Sequence, residues 1–153
     1  METAGRGSDQ FSSRQSLFLN IVSAMTDICG EVVETKMFEP YAARDSTITE
    51  SPYSSNTLVD FKNNILGLQQ VYMGLNGSRG IRDLVAAKNR QFDQQIQTQM
   101  NAAVNSFNNI TERYEEAIFN QRIQVKQTMD QLTALNELLE NELKQFIIQY
   151  IKD

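Results

Sequence analysis

From Leu17 onward, apolar residues return every three or four positions: Leu17, Phe18, Ile21, Val22, Met25, Ile28, Cys29, Val32 and Val33. That is the period of a helix with one buried face, and it predicts a first helix over 12–37. Pro40 and Pro52 then bracket a segment rich in Ser, Thr and Glu, where fixed φ angles and missing N–H groups oppose a helix. This predicts the longest loop of the chain. A second periodic run, Leu58, Val59, Ile65, Leu68, Val71 and Tyr72, follows a cap at Ser55 or Asn56. It ends at Gly74-Leu75-Asn76-Gly77, where glycines supply the backbone freedom of a helix C-terminus.

A third run starts near Ile81 and sets Leu84, Val85, Phe92, Ile96, Met100, Val104 and Phe107 on one side. The Gln and Asn residues of its other side are interrupted at helical period, so they form a solvated face and not a low-complexity tract. In the last run Ile118, Val125, Leu132, Leu139 and Phe146 lie seven apart, with Met129, Asn136, Leu143 and Tyr150 in a second seam. Such heptads pack against other helices. Asn136 either fixes register by pairing with a buried amide or sits at a widened, solvated end.

Four amphipathic helices predict an all-α fold, an antiparallel four-helix bundle with one long polar loop between the first and second helices. A length of 153 residues suits one domain. The bundle is expected over 12–153, after a flexible segment at 1–11.

Composition narrows the chemistry. Fourteen basic against nineteen acidic residues give a net charge of −5, and no Lys/Arg cluster attracts a phosphate backbone. No nucleic-acid partner is expected. No uninterrupted apolar run approaches the ~20 residues of a membrane helix, so no membrane span is expected either. The run at 17–25 is broken by Asn20 and continues helically, which reads as helix and not as a secretion signal. Cys29, the one cysteine, reads as a small core residue.

The chain has no histidine. Zinc hydrolysis and the Glu-x-x-His pairs of di-iron bundles are therefore outside its residue inventory. Asp27, Glu31 and Glu34 share one face of the first helix and are weak candidates for a hard cation, though a solvated acidic face is the commoner arrangement. Ser51, Ser54 and Ser55 have no base to activate them, so no catalytic residue is expected. The densest polar stretch is Glu50, Ser51, Ser54, Asn56, Asp60 and Asn64, where a loop meets a helix. It serves either to bind or, in Ser54 and Asn56, to cap and, in Asp60 and Asn64, to fix the loop.

These same residues carry a resemblance. Glu50, Ser51, Ser54 and Asn56, then Asp60, Phe61 and Asn64, then Tyr72 and Gly74, together with the flanks at 26–32 and 80–85, follow a characteristic order. In that order the chain resembles the second half of the imelysin-type family of bacterial surface and periplasmic helical proteins, which includes imelysin-like peptidases and iron-regulated protein A-like proteins. The family's Gly-x-His-x-x-Glu motif has no counterpart here, since there is no His.

The resemblance implies a helical bundle, one of two in a full-length member. It implies that the six polar residues lie at a ligand site or at the contact with the N-terminal half, which would be the partner. A non-catalytic half that completes a ligand-binding cleft linked to iron uptake is the function it favours. Iron or another hard cation is then a cofactor of the full-length protein, and the location is periplasmic or cell-surface. A contributor to a composite metallopeptidase site is the first alternative. A free-standing interaction module, associating through the last heptad seam, ranks below both, because four helices in one chain bury that seam internally; a monomer is expected.

Overall fold

The computed structural model describes residues 11–152, which hold six helices and no strand. They are α1 (Arg14–Ala43), α2 (Thr57–Met73), α3 (Ile81–Lys88), α4 (Arg90–Ser106), α5 (Tyr114–Asn120) and α6 (122–150). The chain is all-α, as its periodicity requires. The expected flexible segment lies, apart from Phe11, outside the described residues.

Three boundaries differ from the sequence-based expectation. Pro40 does not end α1, which runs on to Ala43 and stops where Arg44 takes a left-handed conformation at φ 52°. The turns before the proline, Glu31–Met37, are wound as π-helix. That wider winding shifts the carbonyls the proline ring would otherwise strike, and proline has no N–H to leave unpaired. The third expected helix is two, α3 and α4. Asn89 breaks it with extended backbone, and its side chain accepts from the Phe92 N–H at 3.0 Å to start α4 afresh. The last is also two, α5 and α6, divided at Gln121, which is pulled out of line as its carboxamide accepts from the Thr111 N–H at 2.9 Å.

The long helices close into a ring in which α1 and α4 each pack against both α2 and α6. Contacts across the ring run antiparallel. Gln15, at the start of α1, donates to the carbonyls of Ile148 and Ile151, at 3.2 and 2.7 Å, and Arg122, at the start of α6, donates to the Tyr41 carbonyl near the end of α1 at 3.0 Å. Tyr72 on α2 meets Asp93 on α4, and Lys62 on α2 meets Asn108 in the 3-10 turn that follows α4.

The core lies inside this ring. The seam of Ile118, Val125, Leu132, Leu139 and Phe146 is buried throughout. Its burial, at about 1.5–3 kcal/mol per large side chain, stabilises the fold of the chain itself. Cys29 is buried beside the Leu132 carbonyl, and its surroundings push the thiol up to about 12, chiefly by burial and then by the charge of Glu34. Asn136 sits neither at an open end nor in an amide pair. It is half-buried beside Gly30, and its Oδ1 has no hydrogen-bond partner.

One face of α1 remains open. The helix contains an 18-residue window of mean hydropathy 1.4, long and apolar enough by length and composition to cross a membrane, of which 33% is buried in the bundle. Its Val22, Met25, Cys29 and Val32 point into the core, whereas Ala24 and Ile28 border a shallow groove shared with α2.

Candidate functional site

The loop at 44–56 is fixed by side chains from three directions. Asp45 accepts from the N–H and hydroxyl of Thr47, at 2.8 and 2.7 Å, and starts a short 3-10 turn; the Thr47 hydroxyl bond first, then the backbone bond, lowers the Asp45 carboxyl below its ordinary value. Lys36 on α1 donates to Glu50 at 2.9 Å and pairs with Glu31 at 3.3 Å. The Glu50 bond is the main reason its ammonium is raised above the usual lysine value. From the α5 side, Glu115 Oε1 accepts from the hydroxyls of Thr49, at 3.3 Å, and Thr57, while Arg113 donates to the Ser55 hydroxyl at 3.0 Å. Glu115 Oε2 is buried without a partner.

Beneath the loop the scaffold is rigid for identifiable reasons. The Tyr114 hydroxyl donates to the Met37 carbonyl, and its ring meets Phe61 edge-on at 5.3 Å. Arg122 stacks over the Tyr41 ring at 3.8 Å while bonding the Tyr41 and Ile118 carbonyls. The Met37 carbonyl, at the end of the π-wound segment of α1, thus takes a bond from α5.

The six polar positions divide between two duties. Ser51 donates to Asp60 Oδ2 at 3.2 Å, joining the loop to the first turn of α2. Ser54 folds back onto the Ser51 carbonyl, with its N–H at 3.2 Å. Neither Ser55 nor Asn56 caps α2 with its side chain: Ser55 takes a left-handed φ of 58° and faces Arg113, and Asn56 occupies the cap position with its side chain unused. Arg113 takes the Ser55 hydroxyl, and Asn56 holds φ −98° and ψ 0° in place of the extended backbone from which a cap side chain reaches the first turn. Asn64 stands apart, one turn further along, in the α1–α2 groove of about 560 Å³.

Toward solvent this end shows Tyr53, fully exposed, with Ser54 and Asn56 beside it in sequence. Phe38, Ile48, Phe119 and Ile123, on elements around the loop, are each about half exposed or more. Asp27, Glu31 and Glu34 are all exposed on α1, and among the described residues no group of three or more metal-ligating side chains converges.

Comparison with known proteins decides the family. The model of the imelysin family, a peptidase family, matches residues 2–141. The chain belongs to the imelysin family. Two solved structures share the fold. One is an imelysin peptidase from Bacteroides ovatus, 23% identical with a TM-score of 0.82, covering 95% of this chain and 44% of that one. The other is a protein from Parabacteroides distasonis assigned as an iron-regulated protein A precursor, 18% identical with a TM-score of 0.80, covering 91% of this chain and 44% of that one. The chain thus spans less than half the length of either structure. No curated protein sequence matches it at a significant level.

Several residues of this loop cluster escape a reading of the sequence. Thr49, Thr57, Arg113 and Glu115 come from segments 58 to 66 residues apart and meet only through packing. Asp93 did leave a signal. Its spacing to Ile96 and Met100 puts it on the buried side of α4, where it is 3% exposed. There it accepts from the Tyr72 hydroxyl at 3.0 Å and from Gln97 at 2.8 Å, with Arg82 at 3.8 Å. Burial first, and this bond second, hold the Tyr72 proton well above the ordinary phenol range.

Proposed function

We propose that this chain is a non-catalytic helical half of an imelysin-type protein. Its loop end completes a ligand-binding cleft against a second helical half, carried by the same polypeptide or by another. The observation that carries this reading is the division of the loop. One set of polar groups pins it to α1 and α5, while Tyr53, Ser54 and Asn56 remain exposed on a rigid base. Preorganised donors and acceptors of this kind lose little entropy when a partner closes over them. In that arrangement Glu50, Ser51, Ser54, Asn56 and Asp60 face the cleft. Phe38, Ile48, Phe119 and Ile123 supply apolar contact around it.

The link to iron uptake, with iron or another hard cation held in the assembled cleft, draws support from the name of the Parabacteroides neighbour. So does an exported, periplasmic or cell-surface location, since that neighbour is described as a precursor. Composite metallopeptidase chemistry has one observation in its favour: the unpartnered Glu115 Oε2, buried beside the loop.

Thermal unfolding with ferric iron, zinc and calcium, paired with a protein-cleavage assay, tests the proposal, because a ligand that prefers the native state raises its midpoint. The expected result is a cooperative melt that none of the three metals shifts saturably, without zinc-dependent cleavage. Zinc-dependent cleavage by the purified chain would overturn the non-catalytic reading. A saturable shift abolished by Asp27→Asn with Glu31→Gln would instead place a cation site on α1, away from the loop.

A further inference from the structure

Opposite the loop end, the start of α1, the start of α3 and the last residues of the chain line an open cleft of about 870 Å³. Small-molecule sites occupy roughly 300–1,000 Å³ and combine apolar walls with a few polar groups that fix orientation. Here Phe18, Leu84 and Ile151 supply apolar wall, and Arg14, Arg79 and Lys152 bring three cations to it. Among the described residues neither Arg79 nor Lys152 has a carboxylate at ion-pair distance. The carboxylate that does line the cleft, Asp83, is engaged by the Gly80 N–H at 2.9 Å. Among the described residues that line the cleft, three cations stand with one carboxylate beside an apolar wall.

The walls are also held in place. Gln15 ties the final turn of the chain to α1 through the Ile148 and Ile151 carbonyls. Gly80 is packed against the backbone of Tyr72 and Gly74 so closely that no side chain fits between them. A preformed cleft loses less on binding than one that must be ordered first.

We propose that this cleft binds an amphipathic carboxylate, its apolar body against Phe18, Leu84 and Ile151 and its head on Arg79 and Lys152. The planar guanidinium of Arg79 matches a carboxylate with two parallel hydrogen bonds, and removal of the hydrocarbon from water adds to the affinity.

Calorimetric titration of the whole chain with decanoate and with decanol tests this, alongside phosphatidylglycerol vesicles as the membrane-borne source of an anionic head. Decanoate is expected to saturate a single site about tenfold more tightly than decanol, the difference a charge-assisted bond supplies. Arg79→Glu should weaken decanoate about tenfold or more and leave decanol unchanged. Lys126→Glu, the same change of net charge on the exposed side of α6, should have no effect. Ala87→Phe, which fills the cleft from its rim, should abolish binding of both ligands while circular dichroism shows the fold intact. Equal weakening by Arg79→Glu and Lys126→Glu would reduce the effect to bulk charge and overturn the site. Decanoate binding that survives Ala87→Phe, or capture by vesicles without binding of soluble decanoate, would overturn it as well.

Discussion

The two ends of this bundle return one helix to the next by opposite means. At the end holding residues 44–56, side chains do the work: Lys36, Thr49, Ser55, Thr57, Arg113 and Glu115 tie the loop down through separate hydrogen bonds. At the other end, residues 74–80 are held by backbone packed on backbone. Gly74 has φ 92°, and a Cβ on it would lie 2.0 Å from the Ser78 carbonyl oxygen. Side-chain ties can be lost one at a time, each at its own cost. Packed backbone has no such graded tolerance. The first end therefore presents its outward polar groups on a base of separable ties, and the second supplies a fixed wall to the cleft beside it.

The largest test of this contrast is Gly80→Ala. The new methyl would stand 2.2 Å from the Tyr72 carbonyl oxygen and 2.4 Å from the Gly74 nitrogen, so the backbone of both strands of the turn must part. Urea unfolding should show a loss of about 4 kcal/mol or more, or no folded protein at all. A loss under about 1 kcal/mol would end the distinction between the two ends.

A smaller effect is expected of Glu115→Ala at the loop end. It deprives the Thr57 hydroxyl of its acceptor and Thr49 of one of two, at a cost of about 1–3 kcal/mol. Hydrogen exchange should quicken in the loop and the first turn of α2 while α3 keeps its protection. Equal quickening at both ends would show that they are not independent.

Alkaline pH acts on both ends alike. The Tyr72 hydroxyl near the glycine turn and the Tyr114 hydroxyl under the polar loop are both raised, chiefly by burial, and Cys29 between them is pushed up to about 12 from 9.0. Each group holds its proton more tightly folded than unfolded. Its contribution is therefore complete below the ordinary value and is lost as pH rises above it, because the unfolded chain then binds fewer protons. Stability should be level up to about pH 9 and fall toward pH 12. Cys29→Ala should make the first part of that fall shallower. An unchanged slope in this variant would show that the thiol does not contribute to it.

The smallest effect is expected of Ser54→Ala. Its hydroxyl is exposed and adds only a 3.4 Å contact to the Ser51 carbonyl, so unfolding should shift by no more than about 0.5 kcal/mol. A larger loss would mean that the outward side of the loop is structural and not free for a partner.

Much of the architecture was legible along the chain. Recurrence at three, four and seven placed Val22, Met25, Ile65, Ile96, Leu132 and Leu139 in the core, where they are found. The glycines at 74 and 77 marked the end of α2, and the order of Glu50, Asp60, Tyr72 and Gly74 pointed to the imelysin family that the family model matches. Such features are local, since amphipathic period, turn chemistry and motif order are each complete within a few turns of chain.

What the tertiary structure decided involves groups far apart in sequence. Pro40 lies inside α1 because a π-wound segment precedes it. The hydroxyls of Ser55 and Thr57 serve α5 and not the cap of α2, because packing puts Arg113 and Glu115 within their reach. The cleft beside Arg79 and Lys152 exists because α1, α3 and the last turn of the chain meet there. Local pattern specifies which face of each helix seeks the core. The choice of partner for each polar group depends on the register between helices, and that is fixed only when their side chains interlock.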